Sequence, residues 1–276
     1  MKKYVLDLRV VSVEQIHARY VLIKLTDDQK LPEMLPGQFV EVRVDGSPTT
    51  FLRRPISINY VDHEKNELWL LVATIGDGTR QLAKLQPGDL LNCILPLGNG
   101  FTATEGHRGA WPFCALKTEG TKGPGPSVPL LIGGGVGVAP LLYLGAEMAK
   151  NGIKPTFLLG ARTKNDLLML EEFKKYGRVF ITTEDGSAGE KGFVTNHSLL
   201  QQEHFDHIYT CGPTPMMKAV ARYAKQTNID CEVSLENMMA CGLGACLCCV
   251  EKTVDGNLCV CKDGPVFNIN QLLWQI

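Results

Sequence analysis

The sequence has 276 residues, too many for one small module, and this length predicts two or three domains. Its hydrophobic fraction of 45% is that of a globular protein, and a formal net charge of -1 gives no electrostatic reason to expect binding to nucleic acid or to an anionic membrane surface. No apolar run approaches the roughly 20 residues needed to cross a bilayer, and the N-terminal residues lack the apolar core of a signal peptide. We therefore expect a cytoplasmic protein.

Residues 1–100 alternate apolar and polar side chains over short runs that Pro and Gly separate. These runs are YVLDLRVVSV, ARYVLIKLT, GQFVEVRV, ELWLLVATI and DLLNCILPLG. Such alternation is typical of half-buried strands and predicts a small antiparallel β-barrel. One helix is predicted within it, from Gly78 to Leu85. The following segment, 101–128, is rich in Gly, Pro and Ser, and we interpret it as a linker or insertion between domains.

Two stretches of the barrel could bind an anion. The first, RRPISI, contains Arg54, Pro55, Ile56 and Ser57, where a proline of fixed φ separates a guanidinium from a hydroxyl. The second, IGDGT, places Gly78 and Thr79 at the start of the predicted helix. Taken singly, each is better explained by ordinary strand and turn chemistry.

Residues 129–230 carry the pattern of a parallel α/β domain, in which a strand, a glycine turn, a helix and a second strand follow one another. Gly135, Gly137 and Pro140 form G-x-G-x-x-P in that turn, where backbone amides can approach a pyrophosphate. A tight βα turn without a ligand remains the alternative. Arg162 follows the second strand, where it could contact the ribose or the 2′-phosphate of an adenosine.

A second motif of this domain, TCGPTPMM, follows another predicted strand. It sets Cys211, Gly212 and Pro213 at the carboxyl edge of the sheet, where ligands bind in open α/β folds. By itself, a small buried cysteine before a turn would explain the motif.

The last segment, 231–276, is dense in cysteine, because six of the ten cysteines lie between Cys241 and Cys261. Cys241, Cys246 and Cys249 are spaced C-x4-C-x2-C, and Cys261 follows further along the chain. This is the plant-type spacing for a [2Fe-2S] cluster, whose irons prefer soft thiolate ligands. The segment is predicted to be a small subdomain that is held together by a metal centre.

A structural Zn²⁺ site is the alternative. Cys246 and Cys249 could join Cys259 and Cys261 as four tetrahedral ligands, although this leaves Cys241 and both glycines of the loop without a use. In the cluster interpretation, Cys248 and Cys259 have no assigned function. The six histidines show no spacing that we identify with a metal site.

The combination of these motifs resembles the ferredoxin-NADP-reductase superfamily over nearly the whole chain. The resemblance implies that the barrel binds FAD and that the α/β domain binds a nicotinamide nucleotide. The residues it implies for FAD are Arg54, Pro55, Ile56, Ser57, Leu71, Val72, Ala73, Gly78 and Thr79. Val72-Ala73 stands where relatives often have Tyr-Arg, a departure that bears on side-chain contacts to FAD, whereas backbone contacts from Leu71 to Ala73 could remain. For the nucleotide it implies Gly135, Gly137, Pro140, Cys211, Gly212 and Pro213.

The cysteine segment points to one subfamily within this superfamily. SLENMMACGLGACLCCV and VCKDGPVF resemble the electron-transfer subunits of class 1B dihydroorotate dehydrogenases. This implies a subunit that accepts electrons from the FMN of a catalytic partner and passes them through [2Fe-2S] and FAD to NAD+, in a heterotetramer of two plus two chains serving de novo pyrimidine (UMP) biosynthesis. No residue is then needed as a catalytic acid or base.

Two rivals remain open from the sequence. One is a subunit of another nicotinamide, flavin and iron-sulfur oxidoreductase, of the sulfhydrogenase or ferredoxin-dependent reductase type. The other, from a different class, is a zinc-stapled nucleotide-binding module without enzymatic activity.

Overall fold

The computed structural model describes residues 2–102 and 128–276. The predicted linker, 101–128, therefore lies almost wholly outside the described residues. Within those residues, no helix is long and apolar enough to cross a membrane.

The N-terminal domain is a closed antiparallel barrel with strand order β1-β2-β5-β4-β3-β6, as predicted. Its strands are β1 (Tyr4–His17), β2 (Tyr20–Thr26), β3 (Phe39–Val42), β4 (Arg54–Asp62), β5 (Glu67–Ala73) and β6 (Leu90–Leu97). Strand β4 was not among the predicted strands, because paired arginines and a proline interrupt its alternation at the start. Helix α1 (Asp77–Leu82) is shorter than predicted at its C-terminal end.

The second domain is built on a sheet of seven strands in the order β10-β9-β8-β7-β11-β12-β15. Its strands are β7 (Leu130–Gly134), β8 (Thr156–Ala161), β9 (Arg178–Thr183), β10 (Glu190–Lys191), β11 (His207–Cys211), β12 (Asp230–Ser234) and β15 (Val266–Asn268). All neighbouring pairs are parallel except β12 with β15. Parallel strands buried on both faces read as continuous apolar runs, which is why LLIGG and HIYTC were recognisable in the sequence.

Within the part of the chain that the structure describes, four α-helices pack with this sheet: α2 (Ala139–Lys150), α3 (Leu170–Lys174), α4 (Leu199–Gln202) and α5 (Thr214–Thr227). Helix α2 is buried on every side from Ala139 to Met148, because it lies between the sheet and the barrel. Tyr143 of this helix reaches into the barrel core. The Asn59 side chain of β4 donates a hydrogen bond of 3.0 Å to the carbonyl of Ala139. These contacts fix the start of α2 against the barrel.

The hydroxyl of Tyr143 donates a hydrogen bond of 3.0 Å to the buried carbonyl of Met34, across the domain interface. Replacing Tyr143 with Phe leaves that carbonyl without its donor, and we expect the free energy of unfolding to fall by about 1–3 kcal/mol. Urea denaturation of the two proteins measures the difference. Tyr223→Phe is the matched control, since its hydroxyl also donates to a carbonyl, that of Leu200, but at a half-buried position. An equal loss in both variants would contradict the expectation.

The cysteine segment leaves the sheet after β12 and returns to it as β15. Between these strands lie the cysteine loop, 241–249, and a hairpin of β13 (Val250–Thr253) and β14 (Gly256–Cys259). Phe39 and Leu97 of the barrel share one apolar cluster with Cys249 and Cys261 of the segment. The segment is thus held by the sheet at both ends and by the barrel at its side.

Candidate functional site

A cavity of about 370 Å³ lies where the barrel, the glycine turn and the cysteine segment meet. The barrel contributes six of the residues that the sequence suggested for FAD: Pro55, Ile56, Ser57, Leu71, Ala73 and Thr79. Val136 and Ala139 of the second domain line the opposite side. Residues 234–239 and Pro265, which lie on either side of the cysteine loop and its hairpin, complete the wall. One chamber therefore joins all three parts of the chain.

Three residues suggested for FAD lie beside the cavity lining. A Cβ atom added to Gly78 would lie 3.1 Å from Nε of Arg54, so this guanidinium covers the start of α1. Glycine at this position leaves room for the arginine. The side chain of Val72 points into the barrel core, which leaves only its backbone for a ligand.

The two nucleotide motifs of the second domain are in direct contact. A Cβ atom at Gly137 would lie 2.4 Å from Cα of Gly212, closer than any real contact. The glycine turn and the CGP turn can therefore approach only because both positions lack a side chain. Gly135 has a φ of 56° and open space around it, and Pro140 lies in the first turn of α2.

The three remaining suggested residues lie at or just beyond the carboxyl ends of strands. Cys211 ends β11 and is fully buried, and this burial raises the pKa of its thiol well above the ordinary value. Arg162 follows β8 and is exposed. Pro213 caps the start of α5. All three lie at the edge of the sheet where open α/β folds bind their ligands.

The four cysteines with cluster spacing form two pairs around one loop. The thiols of Cys241 and Cys246 are neighbours, as are those of Cys249 and Cys261, and the backbone N–H of Cys261 donates to Sγ of Cys249 at 3.3 Å. Cys246 is exposed, whereas Cys249 and Cys261 are buried. Two pairs of thiols suit a cluster of two irons, each of which takes two protein ligands.

Backbone N–H groups converge on these thiols. Leu243 donates to Sγ of Cys241 at 3.4 Å, and Gly244 donates to Sγ of Cys261 at 3.1 Å. The hydrogen bond from Leu243 is the main cause that lowers the pKa of Cys241 to about 6. Gly242 and Gly244, with φ of 65° and 82°, turn the chain so that the N–H groups face inward. The loop is thus built to stabilise thiolates.

Within residues 2–102 and 128–276, no group of three or more His, Cys, Asp or Glu side chains is gathered closely enough to hold a metal ion. The two pairs of cysteines and the N–H groups directed at them are the residues that could hold a binuclear cluster. Cys259, which the zinc alternative needs, is buried, with Sγ 4.0 Å from the carbonyl oxygen of Gly244. Cys248 is exposed.

Two acidic residues near the site were not singled out from the sequence. Glu236 lines the cavity, and burial raises the pKa of its carboxyl. Its position just beyond the carboxyl end of β12 was the available signal. Glu41 is fully buried beneath the cysteine loop, and burial raises its pKa to about 7. A single glutamate in an apolar strand, FVEV, gave no comparable signal.

Comparison with known proteins identifies the second and third parts of the chain. Residues 131–222 match the model of an oxidoreductase NAD-binding domain. Residues 236–273 match the iron-sulfur cluster binding domain of dihydroorotate dehydrogenase B. A dihydroorotate dehydrogenase B (NAD(+)) electron transfer subunit from Lysinibacillus sphaericus is 39% identical over 264 residues, which cover 94% of this chain and 95% of the relative.

The chain belongs to the family of dihydroorotate dehydrogenase B electron transfer subunits. A second member, from Shouchella clausii, is 40% identical over 243 residues and 86% of either chain. A solved structure of an NADH-dependent reduced ferredoxin-NADP oxidoreductase superposes with a TM-score of 0.80 at 28% identity, over 98% of this chain and 90% of that one. The ferredoxin reductase of carbazole 1,9a-dioxygenase, at 18% identity and a TM-score of 0.64 over 83% and 67% of the chains, shares the fold.

Membership in this family confirms several predictions. The chain is an oxidoreductase subunit for electron transfer, with a barrel, an NAD-binding domain and an iron-sulfur domain. The cluster interpretation is thereby favoured over zinc, and the dihydroorotate dehydrogenase family over the other flavin and iron-sulfur oxidoreductases.

Proposed function

We propose that this chain holds FAD, a [2Fe-2S] cluster and NAD+ around one chamber, and that it passes electrons from the FMN of a dihydroorotate-oxidising partner to NAD+ for de novo pyrimidine biosynthesis. The observation that carries the proposal is the cavity between the domains. Its wall combines the barrel strand with Ser57, the helix start at Ala139 and the segment entering the cysteine loop at Met239. Electron transfer requires this proximity of the three sites.

FAD is assigned to the barrel side of the cavity. Ser57 and Thr79 present hydroxyl groups there, and Pro55 and Leu71 present apolar surface. The Arg54 guanidinium beside α1 supplies positive charge for a pyrophosphate. Bound flavin exchanges single electrons with an iron-sulfur cluster and a hydride with a nicotinamide, so the chain itself has to bind, orient and exclude water.

NAD+ is assigned to the opposite side. The contact between Gly137 and Gly212 brings two backbone turns together at the carboxyl edge of the sheet, without side chains in between. A nucleotide lying across these turns reaches the cavity at Val136 and Ala139. Cys241, Cys246, Cys249 and Cys261 are assigned as the cluster ligands.

The catalytic partner is an FMN-containing subunit, and the complex contains two copies of each chain and works in the cytoplasm. Exposed apolar side chains near the exposed Cys246 and Cys248 provide a surface for such a partner: Met238, Leu243 and Leu247. Apolar side chains exposed together in this way mark interaction sites. Docking there brings the partner to the loop that holds the cluster.

Anaerobic purification with flavin, iron and acid-labile sulfide analysis tests the proposed function. We expect one FAD, two irons and two sulfides per chain, as a [2Fe-2S] flavoprotein requires, and an FMN-containing protein that copurifies when both subunits are expressed. A colourless chain with one zinc and no flavin would refute it.

Leu247 provides the sharpest test of the docking surface. Its backbone φ is 58°, a left-handed conformation that Asn tolerates better than Leu, so Leu247→Asn removes apolar surface without straining the loop. We expect the dissociation constant for the FMN subunit to rise about tenfold or more, which corresponds to about 1.4 kcal/mol or more.

Leu90→Asn is the matched control, because Leu90 lies on the barrel and is 62% exposed, against 63% for Leu247. Affinity is measured with the assembled flavoprotein, and the iron content of each variant is determined on the same sample. Equal affinities for the two variants would place the partner on another surface.

A further inference from the structure

Glu41 is a buried carboxylate, and the proposed function assigns it no role. It lies on β3 between Val40 and Val42, whose side chains fill the barrel core. Because side chains alternate along a strand, Glu41 faces outward, towards the cysteine segment. It is 0% exposed, and neither carboxylate oxygen has a hydrogen-bond partner within the described residues. A carboxylate buried without donors lowers stability, so its presence calls for a functional explanation.

The carboxylate faces the backbone of the cysteine loop. A Cβ atom added to Gly242 would lie 2.7 Å from Cγ of Glu41 and 3.1 Å from its Oε1. Gly242 directly follows Cys241, the first of the assigned cluster ligands. The turn at Gly242 therefore packs directly against the Glu41 side chain, and the lack of a side chain at Gly242 allows this approach.

The nearby cations do not neutralise this carboxylate through a direct ion pair. Arg53 donates to the backbone carbonyl of Glu41 at 3.2 Å and to the carbonyl of Asn92 at 3.0 Å. Arg54 donates to the carbonyls of Leu52 and Arg53. Arg53 also donates to the side-chain oxygen of Asn92. Both guanidinium groups therefore attract the Glu41 carboxylate through space, without a hydrogen bond to it.

We propose that the buried negative charge of Glu41 lowers the reduction potential of the cluster held by the cysteine loop. The proposal rests on the proposed function, because it requires a cluster at the four assigned cysteines. Reduction adds one negative charge to a cluster. A carboxylate beside it, in surroundings of low dielectric constant, opposes that addition more strongly than it would in water.

Potentiometric titration of the flavoprotein with its cluster, followed by electron paramagnetic resonance, tests the proposal. Glu41→Gln keeps the size of the side chain and removes the charge. In buffer above neutral pH, and at the midpoint potential of the unmodified protein, we expect the ratio of reduced to oxidised cluster to rise from one to about ten. This change equals a shift of about 59 mV for a one-electron couple.

Two further variants separate the charge effect from a structural effect. Glu41→Met is apolar and of similar length, so it removes an unpartnered buried charge and is expected to fold at least as well. It should shift the potential in the same direction. Asp45→Asn removes an equal charge from an exposed carboxylate of the same barrel, paired with Arg43, and should leave the potential unchanged.

The outcomes are distinguishable. A ratio that changes by less than about twofold in both Glu41 variants, with the iron content intact, overturns the role of Glu41 and leaves the proposed function standing. An equal shift in Asp45→Asn, or loss of iron from both Glu41 variants in folded protein, also overturns it. Absence of iron from the unmodified protein refutes the proposed function and this inference together.

Discussion

Cys249→Ser is expected to abolish the cluster, reducing iron from about two atoms per chain to almost none, and with it all transfer of electrons from the FMN subunit to NAD+. Cys249 is buried, its thiol is paired with that of Cys261, and it receives the N–H of Cys261 at 3.3 Å. A serine hydroxyl is a harder and less acidic ligand, which iron in such clusters binds poorly. Iron and sulfide analysis, with the visible spectrum, measures the loss.

Cys248→Ser is the control for this experiment, since Cys248 is adjacent in sequence but exposed and outside the two pairs. It should retain two irons per chain, as expected for any residue that is not a ligand. Cys259→Ser tests the zinc alternative, which needs that thiol. A full cluster in Cys249→Ser, or its loss in Cys248→Ser, would contradict the assigned ligands.

Gly137→Ala is expected to raise the KM for NADH about 10- to 100-fold. The added methyl group would lie 2.4 Å from Cα of Gly212 and 2.6 Å from the carbonyl carbon of Cys211. Both neighbours are backbone atoms and cannot rotate away, so the two turns must separate, at a cost of about 1–3 kcal/mol. That displacement moves the N–H groups assigned to the nucleotide, and about 1.4 kcal/mol of lost binding equals a factor of ten.

NADH oxidation with a dye as electron acceptor measures this effect in the flavoprotein. Gly152→Asn is the matched control. Gly152 has a positive φ of 78°, a side chain there meets nothing within 4 Å, and Asn adopts this conformation readily. We expect its KM to equal that of the unmodified protein. If Gly137→Ala shares that KM, the two turns do not bind the nucleotide.

Much of the fold could be predicted because it depends on local patterns. Alternating runs identified five of the six barrel strands, and continuous apolar runs with a glycine turn identified the parallel sheet. Strand β4 was missed because its start, Arg54-Pro55, lacks alternation. Its place between β3 and β5 is set by pairing with residues distant in sequence, which local periodicity does not report.

The candidate site was predictable where spacing carries the chemistry, as in C-x4-C-x2-C and G-x-G-x-x-P. What the sequence could not supply was proximity between motifs. Nothing local predicts that Gly137 touches Gly212, or that Glu41 of the barrel lies against Gly242. Gly137 and Gly212 are 75 positions apart, from the difference 212 − 137, and their contact arises when the second domain folds. Glu41 and Gly242 are 201 positions apart, from the difference 242 − 41, and their contact arises only when the barrel packs against the cysteine loop.

The return of the chain to the sheet as β15 makes the edge of the nucleotide domain depend on residues that follow the cysteine loop. Within the described residues, strand β12 is bordered on its outer side by β15, which pairs with it through residues 266–268. A chain cut within the loop would lack β15 and would present β12 as an open sheet edge, which is a template for pairing with other chains. The cysteine segment therefore also protects the sheet of the nucleotide domain from aggregation.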